Sequence, residues 1–197
     1  MSLEAFYQCV PAQCELLRRS IAEEDYGQFL VASYRFKPEQ PHPMWDGQDA
    51  EYCQDLNAML RANPGLHARN LTLGTSWDIL EYLISAARRN GTYDQPDLGR
   101  KAINGDRELA PHLFCSQGVP LRYSSPETVK KILTYLMQTN FKSGFDFEKM
   151  RQANLYKSPE EWRPENYWPF VEDLLKQLTA FYRQAAIANE GVLVWID

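Results

Sequence analysis

The sequence predicts an α/β fold in one globular domain, residues 1–197, and two segments carry this prediction. Apolar residues recur at helical spacing in a segment that begins near Val171, and a short unbroken apolar run follows at 192–196. A run of this kind is typical of a strand that is covered on both faces. At the other end, residues 3–10 have the composition of a strand, and a helical pattern follows. We expect the two end strands to pair centrally in one sheet.

The first half of the chain alternates strand and helix signals. Pro11 suits the first turn of a helix, and that helix presents Cys14, Leu17 and Ile21 on its apolar face. Residues 29–36 fit either a second strand or the end of a helix, because the window is too short to separate the two periods. The Pro-rich segment 37–47 predicts irregular structure, and residues 49–61 predict a helix.

Helix signals dominate the second half. Thr75 to Asp78 have the spacing of a capping box, which predicts a helix that ends at Asn90-Gly91. Ser125-Pro126 predicts another helix start. A second capping box is predicted at Ser158 to Glu161, and Asn166 is expected to cap the last helix with Pro169 in its first turn.

The segment 92–113 between these helices is rich in Gly, Pro, Asp and Asn and shows no periodicity. Loops longer than about 15 residues are uncommon inside compact domains and often bind ligands. We therefore expect a ligand, if there is one, under this loop. Four polar residues on or near it are the candidate binding residues: Asp78, His112, Arg122 and Tyr123. The alternative for each is structural, as a helix cap, a surface histidine, a paired arginine and a packed tyrosine.

Composition excludes several classes of function. The formal net charge is -5 and no block of Lys and Arg is present, so nucleic-acid binding is not expected. No apolar run approaches the roughly 20 residues of a membrane span, and no signal-peptide pattern opens the chain, although residues 1–3 could belong to a leader. The four cysteines form no C-x-x-C pair, which indicates buried reduced thiols in a soluble cytoplasmic protein.

Motifs for catalysis, metals and cofactors are missing from the sequence. His112 and Cys115 form the nearest thiol and imidazole pair, but residues of catalytic dyads are normally distant in sequence. No metal-ligand spacing and no phosphate-binding glycine motif occurs, and Gly99-Arg100-Lys101 indicates only a loop. We expect no catalytic residue, no metal and no cofactor, and the sequence favours a protein that is not an enzyme while leaving an enzyme as the alternative.

The order of several segments resembles the YfbM-like family of uncharacterised bacterial proteins. The segments are Thr75-Ser76-Trp77-Asp78-x-Leu80, then 120–129, then Phe145-Asp146-x-x-x-Met150, and then the C-terminal helix with its closing strand. Leu155-Tyr156, Trp162 and the helix residues Leu178, Phe181-Tyr182 and Ala185-Ala186 belong to the same likeness. The resemblance implies three layers, with a central mixed sheet between helices, and α+β as the alternative class. It implies no activity and no catalytic residues.

Two functional hypotheses follow. The first is a non-catalytic protein-binding module, such as an adaptor or an immunity-type inhibitor, whose acidic surface meets a protein partner. The second is a small-ligand binder or an enzyme with its site under the segment 92–113. The second requires Asp78, His112, Arg122 and Tyr123 to share one pocket.

Overall fold

The structure is a computed structural model that describes residues 3–33, 35–38, 47–91, 97–153, 155 and 163–197. Strands and helices occur in this order: β1 Ala5–Pro11, α1 Glu15–Ala22, α2 Glu24–Ala32, α3 Gln48–Ala62, β2 Asn70–Gly74, α4 Trp77–Ile84, α5 Ala86–Asn90, α6 Leu98–Asn104, β3 Arg107–Glu108, β4 Arg122–Ser124, α7 Pro126–Gln138, α8 Phe147–Gln152, α9 Pro164–Ile187 and β5 Glu190–Ile196. The predicted α/β class is confirmed.

The C-terminal strand lies at the centre of the sheet. The strand order is β2-β1-β5-β4-β3, and β5 pairs with β1 from Ala5 opposite Ile196 to Pro11 opposite Glu190. Every residue of β5 is buried. The prediction that the two end strands pair in the core is confirmed, and the apolar run explains it, because a strand with no polar face is stable only with cover on both sides.

The sheet is antiparallel at every described pairing, whereas the family resemblance implied a mixed sheet. The connection from β4 to β5 shows the physical reason. Two long helices, α7 and α9, lie between these strands, and Lys130 near the start of α7 binds Asn189 just after α9. The two helices therefore run in opposite directions. A single crossover helix makes the strands that it connects parallel. Here two helices of opposite direction connect β4 to β5, so the two strands are antiparallel.

The strand register assigns each side chain to one of two faces. Tyr7 and Val194 are opposite each other and share a face, and Tyr7 donates its hydroxyl to the Ile103 carbonyl of α6 at 2.9 Å. Gln8 lies on the other face, where its amide donates to the Leu66 carbonyl at 3.0 Å. Helices α4, α6, α7 and α9 cover the Tyr7 face, and α1 to α3 lie on the Gln8 face, so the three layers are present.

Several local predictions in the first half need correction. Pro11 ends β1, and α1 begins only at Glu15, with Leu16, Leu17 and Ser20 buried while Ile21 is exposed. A proline is tolerated at a strand end because the missing N–H lies outside the ladder. The ambiguous residues 29–32 belong to helix α2. Of the Pro-rich segment 37–47, residues 39–46 lie outside the described residues.

The caps are confirmed in part. Ser125 accepts a hydrogen bond from the Thr128 N–H and Pro126 is the first residue of α7, as predicted. The N-cap of α4 is Ser76, which makes no capping bond with its side chain, so the predicted box of Thr75 and Asp78 is displaced by one residue from the observed helix start. Helix α9 starts at Pro164 rather than after Asn166, which places Pro169 inside the helix. The box at 158–161 lies outside the described residues.

Candidate functional site

A cleft with charged walls opens on the Tyr7 face of the sheet, beside the strand β4. Its volume is about 530 Å³. We call it the charged cleft. Six ionisable side chains line it, and they are Asp78, Glu81, Arg88, Arg100, Lys101 and Arg122. Asn104 and Gly105 complete its polar wall, and four apolar residues also line it, namely Trp77, Val119, Pro120 and Ile196.

Helix α6 forms one wall of the cleft, in a segment for which the sequence predicted a loop. Asp97 caps α6 by accepting from the Arg100 N–H at 2.8 Å, and its other oxygen accepts from the Ala87 N–H at 2.8 Å. A Cβ on Gly99 would lie 2.1 Å from the Ile84 carbonyl oxygen. The glycine is therefore present because α6 approaches the end of α4 closely, and not because the chain forms a loop. Residues 92–96 of the predicted loop lie outside the described residues.

Ion pairs hold three of the four cations in the cleft wall. Arg88 lies 3.0 Å from Asp78, and Arg100 lies 3.6 Å from Glu81. Lys101 lies 2.6 Å from Asp106, at the turn between α6 and β3. Burial raises the pKa of Asp106, but hydrogen bonds from Lys101 and Thr128 outweigh it, so the pKa stays below its usual value. These three cations therefore each have a carboxylate within ion-pair distance.

Arg122 is held much more loosely than its neighbours. Its closest described acid is Glu108, at 3.9 Å on an exposed side chain, and Nη2 donates a long bond of 3.4 Å to the Asp106 carbonyl. Its Nε is buried and has no hydrogen-bond partner among the described residues. Gly105 borders this arginine, since a Cβ there would lie 2.9 Å from the Arg122 Cβ. The guanidinium thus lines the cleft with only long contacts at its terminal nitrogens, while its Nε is buried without an acceptor among the described residues.

Glu81 is the most strongly perturbed acid of the cleft wall. The residue is buried, and this burial raises the pKa of its carboxyl group, with Asp78 adding a smaller repulsion. Asn104, Arg100 and Arg88 oppose the change without cancelling it. A buried carboxyl with a raised pKa in a cleft is typical of functional sites, although structural pairs can produce the same shift.

The four residues predicted from the sequence do not share one pocket. Asp78 and Arg122 both line the charged cleft. Arg122 is opposite Val194 and Tyr123 is opposite Leu193, so the two neighbours point to opposite faces of the sheet. Tyr123 is buried and lines a pocket together with Cys14, the N-cap of α1, and with Leu17 of α1, and His112 lies 2.9 Å from the Ser20 carbonyl of the same helix. The proposed four-residue site is therefore divided in two.

His112 and Cys115 have different surroundings in the structure. His112 contacts α1, while Cys115 is buried, and burial raises the pKa of its thiol to about 11. A thiol with a raised pKa is a poor nucleophile at neutral pH. Within the described part of the chain, no three His, Cys, Asp or Glu residues are grouped closely enough to hold a metal ion.

Sequence reasoning missed four residues of the cleft, which are Glu81, Arg88, Arg100 and Lys101. One signal was available, because Asp78 and Glu81 are three residues apart and therefore lie on the same side of a helix. Arg88 follows the break between α4 and α5 at Ser85, and the sequence pattern predicted one continuous helix there. Arg100 and Lys101 of α6 lie in the segment that is predicted to be a loop, so the sequence does not indicate that both line one cleft.

Comparison with known proteins identifies the fold and the family. No described helix has the length and apolar character needed to cross a membrane. None of the curated proteins matches the chain in sequence. The crystal structure of a protein of unknown function, YfbM from Escherichia coli, is similar over 99% of this chain and 99% of that chain, with a TM-score of 0.55 and 14% identity. The family model described as Domain of unknown function (DUF1877) matches residues 31–195. The chain therefore belongs to this family of domains of unknown function.

Proposed function

We propose that this protein binds a small anionic ligand in the charged cleft, with Arg122 as the main anion contact. The observation that carries the proposal is the buried Nε–H of Arg122, which has no acceptor among the described residues. A buried donor without a partner costs about 1–3 kcal/mol, and more when the group is charged. Nε is itself covered by the protein, so a ligand supplies the acceptor when the guanidinium rotates toward the cleft, and this removes the cost.

The shape and charge of the arginine favour an oxyanion. A guanidinium presents its donors as a planar fork, which matches the two oxygens of a carboxylate or a phosphate. The cleft lining carries four cationic and two acidic side chains, so cations outnumber acids there. The proposal concerns binding and assigns no reaction to the cleft.

The test is a titration followed by ¹H–¹⁵N NMR, which resolves arginine Nε–H signals. The chain is titrated with sodium acetate and, separately, with sodium phosphate, at an ionic strength held constant with sodium chloride. We expect one Nε–H signal to move progressively, and that signal to be missing in Arg122→Met. The variant should bind these anions at least about tenfold more weakly, because one charged hydrogen-bonding group is lost.

Arg18→Met is the matched control. Arg18 is exposed on α1, pairs with Glu15 and lies outside the charged cleft. The variant removes the same charge and should leave anion binding unchanged. Equal affinities of the wild type and Arg122→Met would contradict the proposal, as would a uniform shift of many exposed arginines without saturation.

The protein-binding role predicted from composition, as an adaptor or an immunity-type inhibitor, stays a prediction. The net charge of -5 favours a basic partner. The exposed large apolar residues of the described chain lie on separate elements, with Ile21 on α1, Phe114 before β4, Met137 on α7, and Phe170 and Ile187 near opposite ends of α9. A purified stoichiometric complex with a basic partner would favour this role over the ligand-binding one.

A further inference from the structure

We infer that the ligand of the charged cleft is an amphipathic monocarboxylic acid, whose carboxylate lies at Arg122 and whose apolar part packs against Trp77, Pro120 and Ile196. The inference rests on the proposed function and names the class of ligand. It is carried by two features of the cleft, which are the charge balance of its wall and the apolar rim beside Arg122.

The charge balance favours a single negative charge. Asp78, Glu81 and Asp106 lie at 3.0, 3.6 and 2.6 Å from Arg88, Arg100 and Lys101 respectively. Arg122 has its closest described acid at 3.9 Å, on the exposed Glu108. One cation is therefore weakly compensated, while buried carboxyl groups line the same wall. A dianionic phosphate would meet repulsion from these acids, whereas a monoanionic carboxylate matches Arg122 alone.

The apolar rim begins directly beside Arg122. Arg122 is opposite Val194, and continuing this antiparallel register places Pro120 opposite Ile196, on the same face as Arg122. Two residues along a strand correspond to roughly 7 Å. Pro120 and Ile196 both line the cleft, together with Val119. An apolar group attached close to the carboxylate would therefore reach this rim.

Trp77, the first residue of α4, adds to this rim. Its indole N–H donates to the Leu3 carbonyl at 3.2 Å, so the polar atom of the side chain is already used within the protein. Trp77 also lines the cleft. It contributes ring surface to a ligand, which suits contact with an apolar or aromatic group.

The test compares probes that differ in one property each. Acetate, phenylacetate, phenylacetamide and inorganic phosphate are titrated into the full chain, and binding is followed by ¹H–¹⁵N NMR at constant ionic strength. We expect phenylacetate to bind at least about tenfold more tightly than acetate or phosphate, because burial of an aromatic ring contributes in this range. Phenylacetamide, which has the ring but no charge, should not bind measurably.

Val119→Thr is the matched rim variant, because it keeps the shape of a half-buried side chain and changes its polarity. It should weaken phenylacetate binding by about threefold, and by more than it weakens acetate binding. Equal affinities for phenylacetate and acetate would overturn the inference and leave anion binding in place. Binding of phenylacetamide as tight as that of phenylacetate, or no binding of any of the three anions, would overturn the proposed function as well.

Discussion

Two arginines on opposite sides of the sheet show how a structural cation differs from a binding cation. Arg19 on α1 donates to Glu23 at 3.0 and 2.9 Å, to Glu51 at 2.6 Å and to Asp55 at 3.2 Å. Its guanidinium carbon also lies 4.2 Å from the centre of the Tyr26 ring. Arg122 on β4 has one long bond to a carbonyl, one acid at 3.9 Å and a buried Nε with no partner among the described residues.

The difference lies in what surrounds each guanidinium, and not in burial alone. Arg19 and Arg122 are both largely covered, with 16% and 30% of the side chain exposed. Three acids meet Arg19, one from the residue after α1 and two from α3, and together they use every nitrogen of its fork. A fully paired guanidinium ties elements together and has no donor to offer a ligand. An unsatisfied one stores a cost that a ligand can relieve.

The largest expected effect comes from a substitution at Gly99, because it displaces helix α6 and so disrupts the charged cleft that contains Arg122. Gly99→Ala places a Cβ 2.1 Å from the Ile84 carbonyl oxygen. The atoms that this Cβ meets all belong to the backbone of Ile84 and Ser85, so α6 has to move away from α4. We expect a loss of about 3 kcal/mol in the free energy of unfolding, at the upper end of the overpacking range, together with loss of anion binding in the cleft. Urea denaturation measures the first, and the NMR titration measures the second.

Gly144→Ala is the control for this substitution. A Cβ at Gly144 meets nothing within 4 Å. The variant should change the free energy of unfolding by less than about 0.5 kcal/mol. A wild-type stability for Gly99→Ala would show that α6 does not approach α4 as closely as described.

A matched pair of arginine variants tests the comparison itself. Arg19→Met leaves Glu23, Glu51 and Asp55 without their shared cation, so we expect a loss of about 1–2 kcal/mol in unfolding free energy and no change in anion binding. Arg122→Met removes a weakly paired cation and a buried unsatisfied donor, and we expect its stability to equal or exceed that of the wild type while anion binding becomes at least about tenfold weaker. Urea denaturation of both variants, at one pH and ionic strength, gives the contrast. Equal destabilisation by the two substitutions would contradict it.

The sequence predicted the centre of the fold better than its site, and the reason is physical. The apolar run 192–196 can be stable only with cover on both faces, so a local pattern determines a global position. Ser125-Pro126 likewise marks a helix start through contacts within four residues. Helix α6 has only seven residues, which form too few turns for a clear hydrophobic period. Glycine also has a low helix propensity, and the close approach of α4 that explains Gly99 is not visible in the sequence.

The candidate site depends on contacts that no local pattern contains. Arg122 was identified because it lies near the predicted end of a strand, but its partners in the cleft come from α4, α5 and α6. Tyr123 was grouped with Arg122 because they are adjacent in sequence, and the strand places adjacent side chains on opposite faces. The alternation of side chains along a strand separates Arg122 from Tyr123, but the bounds of a strand of only three residues are not visible in the sequence.

The smallest expected effect is a change in pH dependence at Glu81. Because burial raises the pKa of this carboxyl in the folded state, the folded chain holds the proton more tightly than the unfolded chain does. The stability that this contributes is complete below the ordinary pKa of 4.5 and is lost as the pH rises through the raised value. Glu81→Gln removes the titrating group. Its stability relative to the wild type should therefore increase as the pH rises above about 4.5 and then become constant.

Glu127→Gln provides a control of opposite sign on the exposed surface. The hydrogen bond from Lys131 lowers the pKa of Glu127, so its contribution is present above the unfolded pKa and is lost as the pH falls through the folded one. Urea denaturation of the wild type and both variants between pH 4 and 8 measures the two slopes. If the stability of Glu81→Gln relative to the wild type changes with pH in the same direction as that of Glu127→Gln, the Glu81 carboxyl is stabilised as an anion by Arg100. The Arg100–Glu81 ion pair, rather than burial, would then determine the charge of this part of the cleft wall.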